Sequence, residues 1–140
     1  MPPEDLSFRV LVADDEPSLL RLIERVIVGA GNEVVLARDG DEALEVLGAD
    51  GDGFDVAILD ASIAPRGAGE VARAFVKSEG DVDVVLTSGA PLEGELEGLA
   101  QEHGWAFLAK PYPPRQLLAV LDEIAARGSR APETPQVERA

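Results

Sequence analysis

Five side chains of this sequence can manage an ion, and each stands at or just past the end of a short apolar run. Asp14 and Asp15 follow FRVLV, Asp60 follows VAIL, Ser88 follows VDVVLT and Lys110 follows AFLA. Clustered carboxylates offer hard oxygen donors, the ligands that divalent cations of the Mg²⁺ and Ca²⁺ type take. Lys110 brings an ammonium and Ser88 a hydroxyl. The chain has no cysteine, which excludes disulfides, thiol catalysis and zinc–thiolate sites. Taken singly, each residue has a plainer reading. An acid pair ahead of a helix is commonly a cap or a solvated turn. A lone Asp after a strand is a turn residue. Ser-Gly is ordinary loop chemistry, and a lysine before proline is usually on the surface. The signal is that all of them fall at strand ends.

The positioning elements follow from periodicity. Residues 8–12 are short and apolar, the pattern of a buried parallel strand. Pro17 suits a first helical turn, and Leu19, Leu20, Ile23, Val26 and Ile27 keep helical spacing until Gly29 and Gly31. A second strand spans 33–37. A helix from about residue 41 puts Ala43, Val46 and Leu47 on one face, and the glycines of 48–53 break it. A third strand, 56–59, stops at Asp60. A helix over about 69–78 should bury Ala72, Phe75 and Val76. A fourth strand spans 82–87, and Leu92, Leu96, Leu99 and Ala100 mark a fourth helix that Gly94 and Gly98 weaken. A fifth strand, 106–109, precedes a helix opened by Pro113 and Pro114, with Leu117, Leu118, Leu121, Ile124 and Ala125 on its apolar face. Five strands alternating with five helices imply an α/β, doubly wound parallel sheet with right-handed crossovers. Ligands of such sheets bind at the carboxyl ends of the strands, where the five polar residues stand.

The totals agree. The 140 residues, 46% apolar, suffice for one domain with a hydrophobic core. A net charge of −15 repels phosphate backbones and anionic lipid, so no direct nucleic-acid partner and no membrane partner is expected. No apolar run approaches the roughly 18 residues of a membrane helix, and residues 1–7 lack the basic and apolar regions of a secretory signal. A cytoplasmic protein is expected, with a domain over 8–127, an N-terminal extension over 1–7 and a disordered tail over 128–140.

The set Asp14-Asp15, Asp60, Ser88 and Lys110-Pro111, each at its own strand end, resembles the receiver domain of response regulators in two-component signalling. The likeness covers about residues 8–127. Individually these motifs are unspecific; together they are specific. The resemblance implies a flavodoxin-like sheet of order 2-1-3-4-5, which sets the first and third strands side by side, about 4.8 Å apart. Asp14, Asp15 and Asp60 would then converge. Carboxylates so close repel one another, and a divalent cation relieves the conflict. Oxygen-only donors with open positions favour Mg²⁺ as cofactor.

By the same resemblance, Asp15 and Asp60 would ligate the metal directly, Asp14 mainly through water, and the backbone carbonyl of Ser62 would complete the set. Asp60 would be the phosphoacceptor, with Lys110 paired to it before phosphorylation and to the phosphoryl oxygens afterwards. Ser88 would donate its hydroxyl to a phosphoryl oxygen. The donor would be a histidine kinase or histidine phosphotransfer protein, and a downstream protein target would read the result. Such a chain is no enzyme beyond its own phosphorylation and dephosphorylation. Ser88 and Phe107 would be the switch residues. Thr87 replaces Ser88 in that role if the strand is in another register, and Phe107 has the plainer reading of a core residue. His103, the single histidine, is expected on the surface.

The loop after Asp60 is one residue longer than the commonest receiver form, closer to some receivers of hybrid histidine kinases. A degenerate receiver that is never phosphorylated and acts as an interaction module is the alternative, and the full acidic set argues against it. An aspartyl-phosphate hydrolase generally has an acid two residues after its nucleophile, where this chain has Ser62. A flavodoxin-like cofactor protein wants a Thr/Ser/Gly-rich phosphate loop, where this chain has Ala13-Asp14-Asp15-Glu16-Pro17.

Overall fold

The computed structural model describes residues 8–49, 53–63, 68–77 and 82–127. The expected extension, the expected tail and most of the loop after Asp60 lie outside the described residues. The strands are β1 (Arg9–Ala13), β2 (Glu33–Ala37), β3 (Val56–Asp60), β4 (Asp83–Ser88) and β5 (Ala106–Ala109). The helices are α1 (Pro17–Gly29), α2 (Gly40–Ala49), α3 (Ala68–Lys77), α4 (Gly94–His103) and α5 (Pro114–Arg127). All strand pairs are parallel and the sheet order is β2-β1-β3-β4-β5, the expected α/β architecture.

Alternation along the strands divides the core into two layers. Leu11, Ala57, Leu59, Val84 and Leu86 pack with Ala43 and Leu47 of α2 and Val71, Ala72 and Phe75 of α3. Val10, Val12, Val56, Ile58, Val85 and Leu108 pack with Leu20, Ile23 and Ile27 of α1 and Leu117, Leu121 and Ile124 of α5. Covering both faces explains why the inner strands read as unbroken apolar runs. Each large side chain so buried contributes about 1.5–3 kcal/mol relative to an exposed one.

Three details depart from the periodicity reading. β3 and β4 each run one residue further than expected, because Asp60 pairs with Thr87 and Ser88 pairs with Ala109 in the ladder. The site residues Asp60 and Ser88 are therefore the last residues of their strands. On α3, Val71 is buried and Val76 is 43% exposed. Val71, Ala72 and Phe75 share one face, and Val76 lies about 100° further round. Helix α4 buries none of its residues. Leu96, Leu99 and Ala100 only lean on the core, and Arg73 of α3 pairs with Glu95 at its start. Gly104 ends α4 in the left-handed region (φ +69°), which a side-chain-bearing residue would resist.

Candidate functional site

Asp14, Asp60 and Lys110 continue the alternation of Val12, Ile58 and Leu108, so all three rise on the α1/α5 side of the sheet rim. Backbone bonds fix that rim. The N–H of Asp14 donates to Ala37 O (3.1 Å), that of Ala61 to Thr87 O (2.8 Å) and that of Lys110 to Ser88 O (2.8 Å). Asp14 and Asp60 are 2% and 3% exposed, whereas Asp15 is exposed.

Asp14 serves two purposes. Its Oδ1 accepts the N–H of Glu16 (3.0 Å), the local turn chemistry that the plainer reading proposed. Its Oδ2 accepts Lys110 Nζ at 2.9 Å. The second contact joins residues 96 positions apart, which no local turn requires. Lys110 Nζ also lies 3.4 Å from Asp60 Oδ2. The ammonium thus bridges both buried carboxylates, with the shorter contact to Asp14.

A carboxylate oxygen from each of Asp14, Asp15 and Asp60 lies within 4.8 Å of the others. Three such groups against one ammonium leave the pocket negative if all are ionised, and the charges show it. Burial pushes the Asp14 carboxyl above its ordinary range and Asp60 adds to this, while Lys110 and the Glu16 N–H pull the other way. Burial would lower Lys110, but its bond to Asp14 and the charges of both carboxylates outweigh it, and its pKa is raised. The donor set suits a hard divalent cation. The carboxylates are all-oxygen, two are held rigid by burial, and the exposed Asp15 leaves a side open to water.

Two residues contribute in ways the sequence reading did not assign. Ser62, expected to offer only its carbonyl, donates its N–H to Asp60 Oδ1 (3.2 Å) and sets its hydroxyl 3.2 and 3.3 Å from the two Asp60 oxygens. Its place two residues after an Asp was the available signal. Tyr112 follows the Lys110–Pro111 peptide, and its hydroxyl is buried without a hydrogen-bond partner. Burial, then the charges of Asp14 and Asp60, push its pKa up to about 12. Nothing in the apolar pattern distinguished it from another core aromatic.

The switch candidates part company. Ser88 Oγ donates to Ala90 O (2.7 Å) and accepts the Ala90 N–H (3.0 Å), so its hydrogen bonds close a local turn rather than reach Asp60. Thr87 is 1% exposed and sits beside Asp60 in the ladder. Phe107 is 41% exposed, so it is not a core residue. A Cβ on Gly89 would meet nothing within 4 Å, so packing does not demand glycine there. His103 is exposed and stacks on Trp105, with ring centroids 5.1 Å apart.

Known proteins match this sequence and this fold. The family model for the response regulator receiver domain matches residues 10–122. A curated relative, the uncharacterized transcriptional regulatory protein YrkP of Bacillus subtilis, is 29% identical over 81% of this chain and 48% of its own length. The transcriptional regulatory protein CpxR of Escherichia coli is 28% identical over 85% of this chain and 50% of its own. The chain thus spans about half the length of these relatives. Among solved structures, a response regulator receiver domain protein from Clostridium thermocellum superimposes with a TM-score of 0.72 at 26% identity, covering 85% of this chain and 94% of that one. The signal receiver domain of a Luxo repressor protein from Vibrio parahaemolyticus shares the fold (TM-score 0.76, 18% identity, 89% and 93% coverage). A matching family model over most of the chain, with the acidic pocket at the expected strand ends, shows that this protein belongs to the response regulator receiver domain family.

Proposed function

We propose that Asp60 accepts a phosphoryl group from a phosphohistidine on a histidine kinase or phosphotransfer protein, and that the resulting acyl phosphate changes which protein the chain binds. The observation that supports this most is the bridging position of Lys110. A buried carboxylate nucleophile at the end of β3 has an ammonium 3.4 Å away, ready for the negative oxygens of a transferring group. A carboxylate oxygen of Asp60 attacks phosphorus, the phosphorus–nitrogen bond to the donor imidazole breaks, and a carboxyl–phosphate anhydride forms. Asp14, Asp15, Asp60 and the Ser62 carbonyl would hold Mg²⁺. When bound, that ion supplies charge neutralisation for the phosphoryl oxygens.

The remaining work falls to the chain's own groups. Lys110 passes from Asp14 toward the new phosphoryl oxygens. Ser62 keeps its N–H and hydroxyl on Asp60 and holds that carboxylate in orientation. Ser88 gives up Ala90 O to donate to a phosphoryl oxygen, and the β4–α4 connection and Phe107 move with it. The chain turns over no other substrate, and it works in the cytoplasm beside its donor. Binding of beryllofluoride together with Mg²⁺ tests the reading. NMR shifts at Ser62, Ser88 and Lys110 are expected, and a spectrum that ignores both additions contradicts it.

A further inference from the structure

We propose that Tyr112 is a positioning residue of the phosphorylated pocket, whose hydroxyl takes over Asp14, directly or through one water, when Lys110 turns from Asp14 to the phosphoryl oxygens. This role rests on Asp60 being the phosphoacceptor and extends that reading to the partner Asp14 finds afterwards. The Tyr112 hydroxyl is buried with no hydrogen-bond partner among the described residues. Buried polar groups nearly always have a partner, so an orphan asks for a second state that satisfies it. Phenylalanine would fill the same apolar position without the cost, so the hydroxyl is the part that needs a role.

Placement favours Asp14. The ring packs in the α1/α5 layer, against Leu19 and Ile23 of α1 and Pro114 and Leu117 of α5. Asp14 and Lys110 rise on that same side of the sheet. Leu19 lies five residues after Asp14 and Tyr112 two after Lys110, so the ring stands against segments that continue from both. Burial, then the charges of Asp14 and Asp60, keep the phenol protonated far above neutral pH, so it remains a donor. Asp14 is 2% exposed, and its Oδ1 already accepts the Glu16 N–H while its Oδ2 accepts Lys110 Nζ. Once the ammonium has turned away, Oδ2 is a buried anionic oxygen without its donor, a costly state. Asp60 has no such need, because the Ser62 N–H and hydroxyl stay on it. A phenol donating to a carboxylate makes a charge-assisted bond without bringing another charge into the pocket.

Tyr112→Phe removes the hydroxyl and keeps the ring. In the metal-free protein it should unfold at the wild-type temperature or higher, because the resting hydroxyl has no partner to lose. In saturating Mg²⁺ it should bind beryllofluoride about three- to tenfold more weakly than wild type. Lost packing would instead lower the unfolding temperature. Val26→Ala thins the same apolar wall without touching a polar atom. It should lower the unfolding temperature and leave beryllofluoride affinity within about twofold of wild type. In protein labelled with ¹³C-tyrosine, the one Cζ resonance should shift when Mg²⁺ and beryllofluoride are added together. The role of Tyr112 is overturned if Tyr112→Phe binds beryllofluoride as wild type does, if Val26→Ala weakens binding as much, or if the Cζ resonance stays put while beryllofluoride binds. A wild type that binds no beryllofluoride sinks the phosphoacceptor reading and this role with it. Equal binding by wild type and Tyr112→Phe sinks this role alone.

Discussion

Lys110 donates its hydrogen bond to Asp14 at 2.9 Å and holds Asp60 at 3.4 Å, so the carboxylate that binds the ammonium most closely is not the one proposed to react. On the proposed reading, Asp14 is a resting place for the cation that a phosphorylated Asp60 would need. The arrangement keeps two buried carboxylates tolerable in one pocket.

Removing the ammonium should therefore expose the conflict. Lys110→Ala leaves Asp14 and Asp60 buried without their cation and should cost about 1–3 kcal/mol in urea denaturation of the metal-free protein. Mg²⁺ should restore a larger share of stability to the variant than to the wild type, because the ion replaces the lost charge. Equal stability of variant and wild type without metal would contradict this.

Asp14 makes a prediction whose sign is opposite to that of most carboxylates. Its pKa is raised above 3.8 in the folded chain, so the native state holds its proton more tightly than the unfolded state does. Its contribution is full below 3.8 and is lost as pH rises through the raised value. Asp14→Asn should remove that loss. In metal-free buffer the variant should unfold at a higher temperature than wild type at neutral pH. In Mg²⁺ the advantage should shrink or reverse, because the variant lacks one acidic ligand. Destabilisation of the metal-free variant at neutral pH would contradict the account.

Tyr112 is the single tyrosine, so its ionisation can be followed directly by ultraviolet absorbance. It should titrate near 12 rather than near 10 while circular dichroism shows the fold intact. Added Mg²⁺ should lower that value by offsetting the charges of Asp14 and Asp60. Titration at the ordinary tyrosine value in the folded protein would mean that the hydroxyl does not feel the acidic pocket.

The two phenylalanines Phe75 and Phe107 should behave differently. Phe75 is 2% exposed in the layer with α2 and α3, and Phe75→Ala should cost about 3–5 kcal/mol. Phe107→Ala removes a side chain already in contact with water and should cost less than about 1 kcal/mol. Denaturant midpoints for the two variants decide this, and similar losses would contradict the exposure of Phe107.

The fold was legible because apolar runs, helical spacing and the punctuation of Pro17, Gly29, Gly31, Pro113 and Pro114 all agree on one alternation. The sheet order came through the resemblance rather than through periodicity, which cannot order strands. Convergence of Asp14, Asp15 and Asp60 followed once β1 and β3 were neighbours. What stayed hidden depends on distances across the rim. Nothing local tells Lys110 to prefer Asp14 over Asp60, turns the Ser62 hydroxyl onto Asp60, or closes Ser88 onto Ala90. The exposure of Val76 and Phe107 also depends on what a neighbouring element leaves uncovered, which residue type does not encode.

The central claim is that Asp60 takes the phosphoryl group, and the intact mass of the protein after incubation with acetyl phosphate and Mg²⁺ tests it most directly. The account predicts one acid-stable, base-labile phosphoryl group on the wild type, lost when the metal is chelated beforehand and absent from Asp60→Asn. A wild type that gains no mass, or an Asp60→Asn variant that gains the same mass, would contradict it.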